Sequence, residues 1–310
     1  MKIPLTRSVR AKDSALLEIN PWARIGSDLA DANATKDGTA GAKQLAQARH
    51  AAAMARLASG VELWNRWATA MLTLKPKLER QTAMSAMWHD LATIDFAGAT
   101  FRKDCDFGGF LFPGPVVFSH AHFAVDAWFS AARFNDAVDF SSAIFDQDGF
   151  FEQAEFFGAA RFDRTRWSRD AQFRKCKFHR QASFREARFD RHAWFIGSRF
   201  ADALSFAACQ FAGDAGLDQC DYGGPSDFSL ARFRDHAGFD AAHFSASVRF
   251  DDARFERQAW FQNARFDAPA SFDRAQFAGE LNFTDIVTPE NSEVLDTIAT
   301  LDKRRAKRGE

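Results

Sequence analysis

Eight histidines and four cysteines are the residues that could build a metal centre or a nucleophile, and their spacing favours neither. Cys105, Cys176, Cys209 and Cys220 contain no C-x-x-C pair, so no zinc or dithiol motif is present. His120-Ala121-His122 resembles a two-point metal clip, but no third ligand stands near it in sequence. There is no phosphate-cradling glycine loop, no H-E-x-x-H and no G-x-S-x-G. The expectation is a chain without catalytic residues, cofactor or metal.

Binding chemistry is better represented. Residues 161–191 carry eleven Lys/Arg against four Asp/Glu. Arg164, Arg166, Arg174, Lys177, Arg180, Arg185 and Arg188 are the candidate contacts of this basic zone, for an acidic protein surface or a nucleic-acid backbone. Acidic residues precede it: Asp136, Asp139, Asp146, Asp148, Glu152 and Glu155. Mutual neutralisation of neighbouring charges is the plainer reading. Trp128, Trp194 and Trp260 recur at 66 residues, with Arg133, Arg199 and Arg265 in step beside them. Such tryptophans could be contact residues or the residue of an old duplication.

Composition narrows the class. Of 310 residues, 35 are Phe and one is Tyr, so the aromatic content is mostly apolar payload for burial. Forty Lys/Arg nearly balance 41 Asp/Glu, which argues against a general polyanion binder or a strongly anionic mimic. The first residues, MKIPLTRSVRAKD, lack the apolar run of a secretory signal, and no apolar stretch is long enough to span a membrane. With no disulfide pattern, a reducing, cytoplasmic setting is the expectation.

What positions these residues is a phenylalanine ladder. From Phe96, steps of five and six residues alternate through Phe101, Phe107, Phe112 and onward to Phe283, seventeen periods of eleven without loss of phase. Of 35 rungs, 32 are Phe; the exceptions are Trp167, Leu217 and Tyr222. Only Phe110, Phe150 and Phe157 stand off the ladder. Two residues before each rung lies an uncharged, mostly small residue, such as Ala182 before Phe184 or Ala187 before Phe189. All four Cys occupy this position, which rules out Cys176 and His179 as a nucleophile pair, because Cys176 faces inward.

The periodicity excludes helices. At 100° per residue, alternate rungs would lie about 140° apart, so no single stripe forms. An eleven-residue coiled coil needs apolar steps of three and four, and a hexapeptide β-helix needs steps of six throughout. What remains is a solenoid of very short extended faces, each sending one Phe and one small residue inward and the residue between them outward. Phe140, Phe162, Phe184, Phe206, Phe250, Ala182, Ala187, Cys176 and Cys209 are expected core residues.

Units such as Ala187-Arg188-Phe189 and Ala264-Arg265-Phe266 resemble those of pentapeptide-repeat proteins, in a Phe-centred variant that alternates five- and six-residue units. The resemblance covers about 190 residues. It implies an all-β solenoid: a right-handed quadrilateral parallel β-helix of 22 residues per coil, about 8–9 coils and roughly 41 Å long at ~4.8 Å per strand. Phe in place of the usual Leu fits a bore widened by the extra residue on alternate links. Some members of the family resemble duplex DNA and bind type II topoisomerases such as gyrase. The near-neutral charge here argues against that role.

The ends read differently. Residues 1–93 form an N-terminal polar segment and a helical cap: polar to about residue 40, helical through Gln44–Leu57, then a Val61/Trp64/Trp67/Met71 face interrupted by Pro76, then a helix with Met84, Trp88 and Leu91. The repeat β-helix spans 94–286, and 287–310 reads as a C-terminal capping helix opened by Thr288-Pro289-Glu290, with Val294, Leu295, Ile298 and Leu301 on its apolar face. A dimer through a terminal helix or end coil is an alternative use of that surface. The function expected is a non-enzymatic protein-interaction scaffold. The alternatives are a topoisomerase-binding DNA mimic and a nucleic-acid or anionic-surface binder. One substitution tests the inward assignment: Phe184→Asp should unfold the repeat, because a charge would enter a dry aromatic bore. Wild-type thermal stability in that variant would reject it.

Overall fold

The computed structural model describes residues 39–78, 82–103, 105–288 and 299–300. They form two units: one of residues up to Asp95 together with Leu111–Pro115, the other of Phe96–Phe110 together with Val116 onward.

Among the described residues, the first unit holds three helices, α1 (Thr39–Leu57), α2 (Val61–Leu78) and α3 (Thr82–Ala92). Gly60, at φ +85°, makes the turn between α1 and α2. Trp64, Trp67 and Met71 are buried along one face of α2. The Trp64 indole N–H donates to the Leu111 carbonyl at 2.9 Å, and its ring meets Phe112 edge-on at 5.5 Å. Asn65 Oδ1 accepts the Leu111 N–H at 2.8 Å. The ladder residue Phe112 thus belongs to the helical unit. Trp88 ties α3 to α2 by donating to the Met71 carbonyl at 2.7 Å. Pro76 does not interrupt α2: the helix runs through it and ends two residues later. So near the C-terminus, its missing N–H costs one backbone bond and little else. The Arg56 guanidinium lies 4.3 Å over Trp67, and burial lowers its pKa to about 10. Among the described residues, no helix is long and apolar enough to cross a membrane.

The second unit is a parallel β-solenoid of about eight turns, built of two-residue strands. Each strand pairs with the one 22 residues on, as Val116↔Val138, His122↔Ile144, Ala127↔Gly149 and Arg133↔Glu155 show. Those four pairs define walls A, B, C and D, met in that order along each coil. Backbone bonds run straight from coil to coil, as from Phe118 N–H to the Asp139 carbonyl at 2.7 Å. Inside, the rungs of each wall stack along the axis: Phe140, Phe162, Phe184 and Phe206 follow one another at 4.8 Å with nearly parallel rings. Rings from walls A and C meet edge to face across the bore, Phe162 and Phe173 at 5.3 Å and 87°. Both geometries are favourable for aromatic quadrupoles, worth about 0.5–1.5 kcal/mol per pair beyond burial.

Where the ladder departs from Phe, its neighbours change with it. Trp167 stacks on Phe145 at 3.8 Å and donates its indole N–H to the Thr165 hydroxyl at 3.0 Å. A Cβ at Gly149 would sit 2.4 Å from the Trp167 ring. The larger rung therefore requires glycine at the adjoining small position and supplies its own polar partner two residues before. At the C-terminal end Leu281 and Phe283 are only half-buried. Of the helix expected over 287–310, Val287 instead forms a parallel bridge with Arg265 and Thr288 is not helical, Ala299 and Thr300 are helical, and the rest lies outside the described residues. The loop expected before residue 39 and the Cys105 side chain also lie outside them.

The turn chemistry resolves the alternating step. Every five-residue link contains one residue in the left-handed region, two after its rung: Gly98, Gly109, His120, Ala131, Ser142 and so on to Asp285. The rung carbonyl accepts the N–H three residues on, as Phe118 does from Ala121 at 2.9 Å, closing a tight turn with positive φ at its third position. Six-residue links turn through an open bend without this conformation. Fifteen of the left-handed corners are not glycine, at a cost of roughly 1 kcal/mol each. Leu230, with φ 61° and a side chain 62 % exposed, gains no burial in return. Leu230→Gly is expected to raise stability by about 0.5–1 kcal/mol after the added flexibility of the unfolded chain. Leu230→Val is expected to lower it. Urea denaturation of both variants measures the sign.

Candidate interaction surfaces

With the small residue and the rung turned inward, each strand offers one side chain to the outside, and 22-residue stacking lines these up into a column on each wall. Wall D interleaves acidic and basic side chains. Glu155 lies between Arg133 at 3.5 Å and Lys177 at 2.7 Å, and Asp221 between Arg199 at 3.4 Å and His243 at 3.6 Å. The Lys177 ammonium, through its hydrogen bond, holds the Glu155 carboxyl below the usual range. Each exposed pair contributes at most about 1 kcal/mol, so the result is a neutralised wall rather than a strong clamp.

The basic zone is treated in the same way. Arg164 pairs with Glu186 at 3.0 Å, and Arg166 and Arg188 share Asp190 at 3.1 and 2.5 Å. Among the described residues, Arg169, Arg174, Lys175, Arg180 and Arg185 have no carboxylate at ion-pair distance. These five stand at four different corners of the coil. Arg185 is at the corner of walls A and B, Arg169 at that of B and C, Arg174 and Lys175 at that of C and D, and Arg180 at that of D and A. The excess charge therefore encircles the solenoid instead of gathering on one wall.

Wall C is different in kind. Trp128, Trp194 and Trp260 all occupy its outward column, three coils apart. Trp128, 39 % exposed, stacks on Phe150 at 4.0 Å. Phe150, one of the three off-ladder phenylalanines, thus joins this column. Its place 22 residues after Trp128 was the available signal in the sequence. Trp194 lies beside His192 at 5.4 Å and under the Arg174 guanidinium at 5.2 Å. A Cβ at Gly216 would fall 2.6 Å from the Trp194 ring, so that glycine lets the ring lie flat on the next strand. Trp260 stacks on His236 at 5.1 Å. Phe157, off the ladder at the corner of D and A, sandwiches with His179 at 4.5 Å.

Many of the acidic residues do structural work. At the corner of B and C, Asp126, Asp148 and Asp170 each accept the backbone N–H of the residue one coil on, at 3.1, 2.9 and 3.3 Å. Asp139 accepts the Ser141 N–H at 2.8 Å, and Asp146 holds His122 at 2.6 Å. His120 is one of the left-handed corner residues.

The expected core residues Phe140, Phe162, Phe184, Phe206, Phe250, Ala182, Ala187, Cys176 and Cys209 are all buried. Cys176, Cys209 and Cys220 donate their thiols to the carbonyls of Phe151, Phe184 and Phe195 at 2.9, 2.7 and 3.0 Å. Burial pushes all three thiols up, Cys220 to about 12, which keeps them protonated and unreactive.

The coil geometry agrees with a comparison across protein families. The family model described as pentapeptide repeats in nine copies matches residues 151–199, 162–210 and 239–287. Those segments carry the repeats of pentapeptide-repeat proteins. Such proteins are generally repeat scaffolds without catalytic activity. No curated protein and no solved structure matches the chain. In the native pentapeptide-repeat solenoid at pH 8, Cys176, Cys209 and Cys220 should resist a thiol reagent and react only after denaturant is added. Mass spectrometry showing rapid native labelling at any of the three would contradict their burial.

Proposed function

We propose that this protein is a non-enzymatic interaction scaffold whose contact surface for a partner protein is wall C. The observation that carries this reading is the asymmetry of the four outward columns. Only wall C presents an aromatic column, Trp128, Phe150, Trp194 and Trp260, whereas the neighbouring columns carry charges already paired along the axis. Half-exposed tryptophans on a rigid support suit protein recognition, since they offer large contact area at small entropic cost. Burial keeps the thiols of Cys176, Cys209 and Cys220 protonated, which supports the non-enzymatic part of the reading.

The encircling cations Arg169, Arg174, Lys175, Arg180 and Arg185 favour a second reading, an anionic-surface or nucleic-acid contact, since none has a carboxylate at ion-pair distance among the described residues. A flat or gently curved polyanion could reach two corners at once, so few of the five would act together. A topoisomerase-binding DNA mimic needs a strongly acidic surface, and the net charge of −1 gives it little support.

Affinity capture from the native cell, followed by binding measurements with the captured partner, separates these. The wall C reading expects Trp128→Ser/Trp194→Ser to weaken binding at least tenfold, about 1.4 kcal/mol. Lys177→Glu/Arg199→Glu on wall D should leave it intact. Gel-shift and gyrase supercoiling assays should both be negative. DNA retardation abolished by Arg174→Glu/Arg185→Glu would replace the reading with the second one, and gyrase inhibition without DNA binding would replace it with the third.

A further inference from the structure

The carboxylate ladder at the corner of walls B and C breaks at one residue. Asp126, Asp148 and Asp170 each cap the amide one coil ahead, and His192 continues the pattern by accepting the Asp214 N–H on Nδ1 at 3.1 Å. Asp214 should then take the N–H of His236, 22 residues on. It does not: that N–H goes to Asp235 Oδ1 at 3.1 Å.

The consequence for Asp214 is unusual. Its Oδ1 is inaccessible to water and has no hydrogen-bond partner. Its Oδ2 lies 3.4 Å from His192 Nδ1. That nitrogen accepts the Asp214 N–H, so a neutral His192 carries no proton there to donate. Neither oxygen of this carboxylate therefore receives a proton from the protein, a costly arrangement for a half-buried anion unless a cation completes it. His236 Nδ1 is likewise inaccessible and unpartnered. One ligand atom each from Asp214, Asp235 and His236 lies within 4.8 Å of the others. The His236 ring is held in orientation by its parallel stack on Trp260 at 5.1 Å.

We infer that Asp214, Asp235 and His236 form a binding site for a first-row divalent metal ion of the zinc class, with water completing its coordination. One imidazole with two carboxylates suits Zn²⁺, Co²⁺ or Mn²⁺, whereas Mg²⁺ and Ca²⁺ prefer all-oxygen sets. Metal–ligand distances of about 2.0–2.2 Å bring the donor atoms of one ion to within about 4.4 Å of one another, and side-chain rotation at this half-exposed corner can supply the closing that needs. The two unpartnered atoms, Asp214 Oδ1 and His236 Nδ1, stand on adjacent coils at the point where the capping pattern stops. The ion would link coil to coil where the carboxylate no longer does. The role is distinct from partner binding on wall C and does not depend on it.

The test is isothermal titration of the full chain with Zn²⁺ after chelator treatment, paired with Co²⁺ absorption in the visible range. The expected result is one ion per chain and a d–d band of low-symmetry, oxygen- and nitrogen-ligated Co²⁺. Asp214→Asn and His236→Ala should each weaken binding at least tenfold and remove the band while circular dichroism stays unchanged. His243→Ala, at the other Asp–His–Asp contact on wall D, should leave both readouts intact. No binding above that of a scattered surface, equal binding in Asp214→Asn, or a site lost in His243→Ala would each overturn the assignment.

Discussion

Everything in the repeat unit depends on one coincidence of lengths: the rise between stacked strands matches the distance at which aromatic rings attract one another. Hydrogen bonding between strands fixes the rise near 4.8 Å. Phe140, Phe162, Phe184 and Phe206 sit one above another at that separation. A leucine bore gains only dispersion and burial from the same geometry, whereas the phenylalanine bore adds axial stacks and edge-to-face contacts across its width. Two-residue strands, far too short to persist alone, are held because each belongs to a column of like strands and each column is backed by a column of rings.

That coincidence also explains the width of each coil. Filling a bore with rings from opposite walls requires more perimeter than filling it with branched aliphatics, and the extra residue on alternate links supplies it. The two links then solve different problems. The five-residue link turns sharply and accepts a left-handed residue at every corner from Gly98 to Asp285; the six-residue link turns broadly and needs none. Most left-handed corners are occupied by residues with side chains, so the ladder constrains the backbone more strongly than local preference does. The same logic appears at Trp167, where an oversized ring is tolerated only because Gly149 leaves it room and Thr165 gives its N–H a partner.

The fold was legible because burial writes itself into sequence as periodicity. Rungs such as Phe184 and small residues such as Ala182 are identifiable by phase alone, and both are buried. The left-handed corners were not legible, since His120, Arg164 and Leu230 share no side-chain chemistry; what they share is a place in the turn. The outward surface was legible only in part. The count of charges in residues 161–191 reveals an excess but not its direction, because eleven-residue units turn successive cations to different walls. Arg164 and Arg166 look adjacent in sequence, yet one occupies a corner and pairs with Glu186, while the other lies on wall B against Asp190. Pro76 misled for a related reason: a proline is a helix breaker only where the helix would otherwise continue, and α2 ends at Leu78.

The spacing of Trp128, Trp194 and Trp260 invites an account in which they are merely inherited copies of one ancestral three-coil block. Their surroundings count against that as the whole explanation. Trp128 has Phe150 above it, Trp194 lies over Gly216, and Trp260 is stacked on His236. Gly238, between the last two, is covered instead by the Asp218 carboxylate, which burial holds above the usual carboxylate range. Each ring has a different and specific support: an aromatic plane, a glycine floor, an imidazole. Those supports set how much of each ring faces outward, and they differ along the wall. Tryptophans at a fixed spacing, each with its own separate backing, support the proposal that wall C is a contact surface.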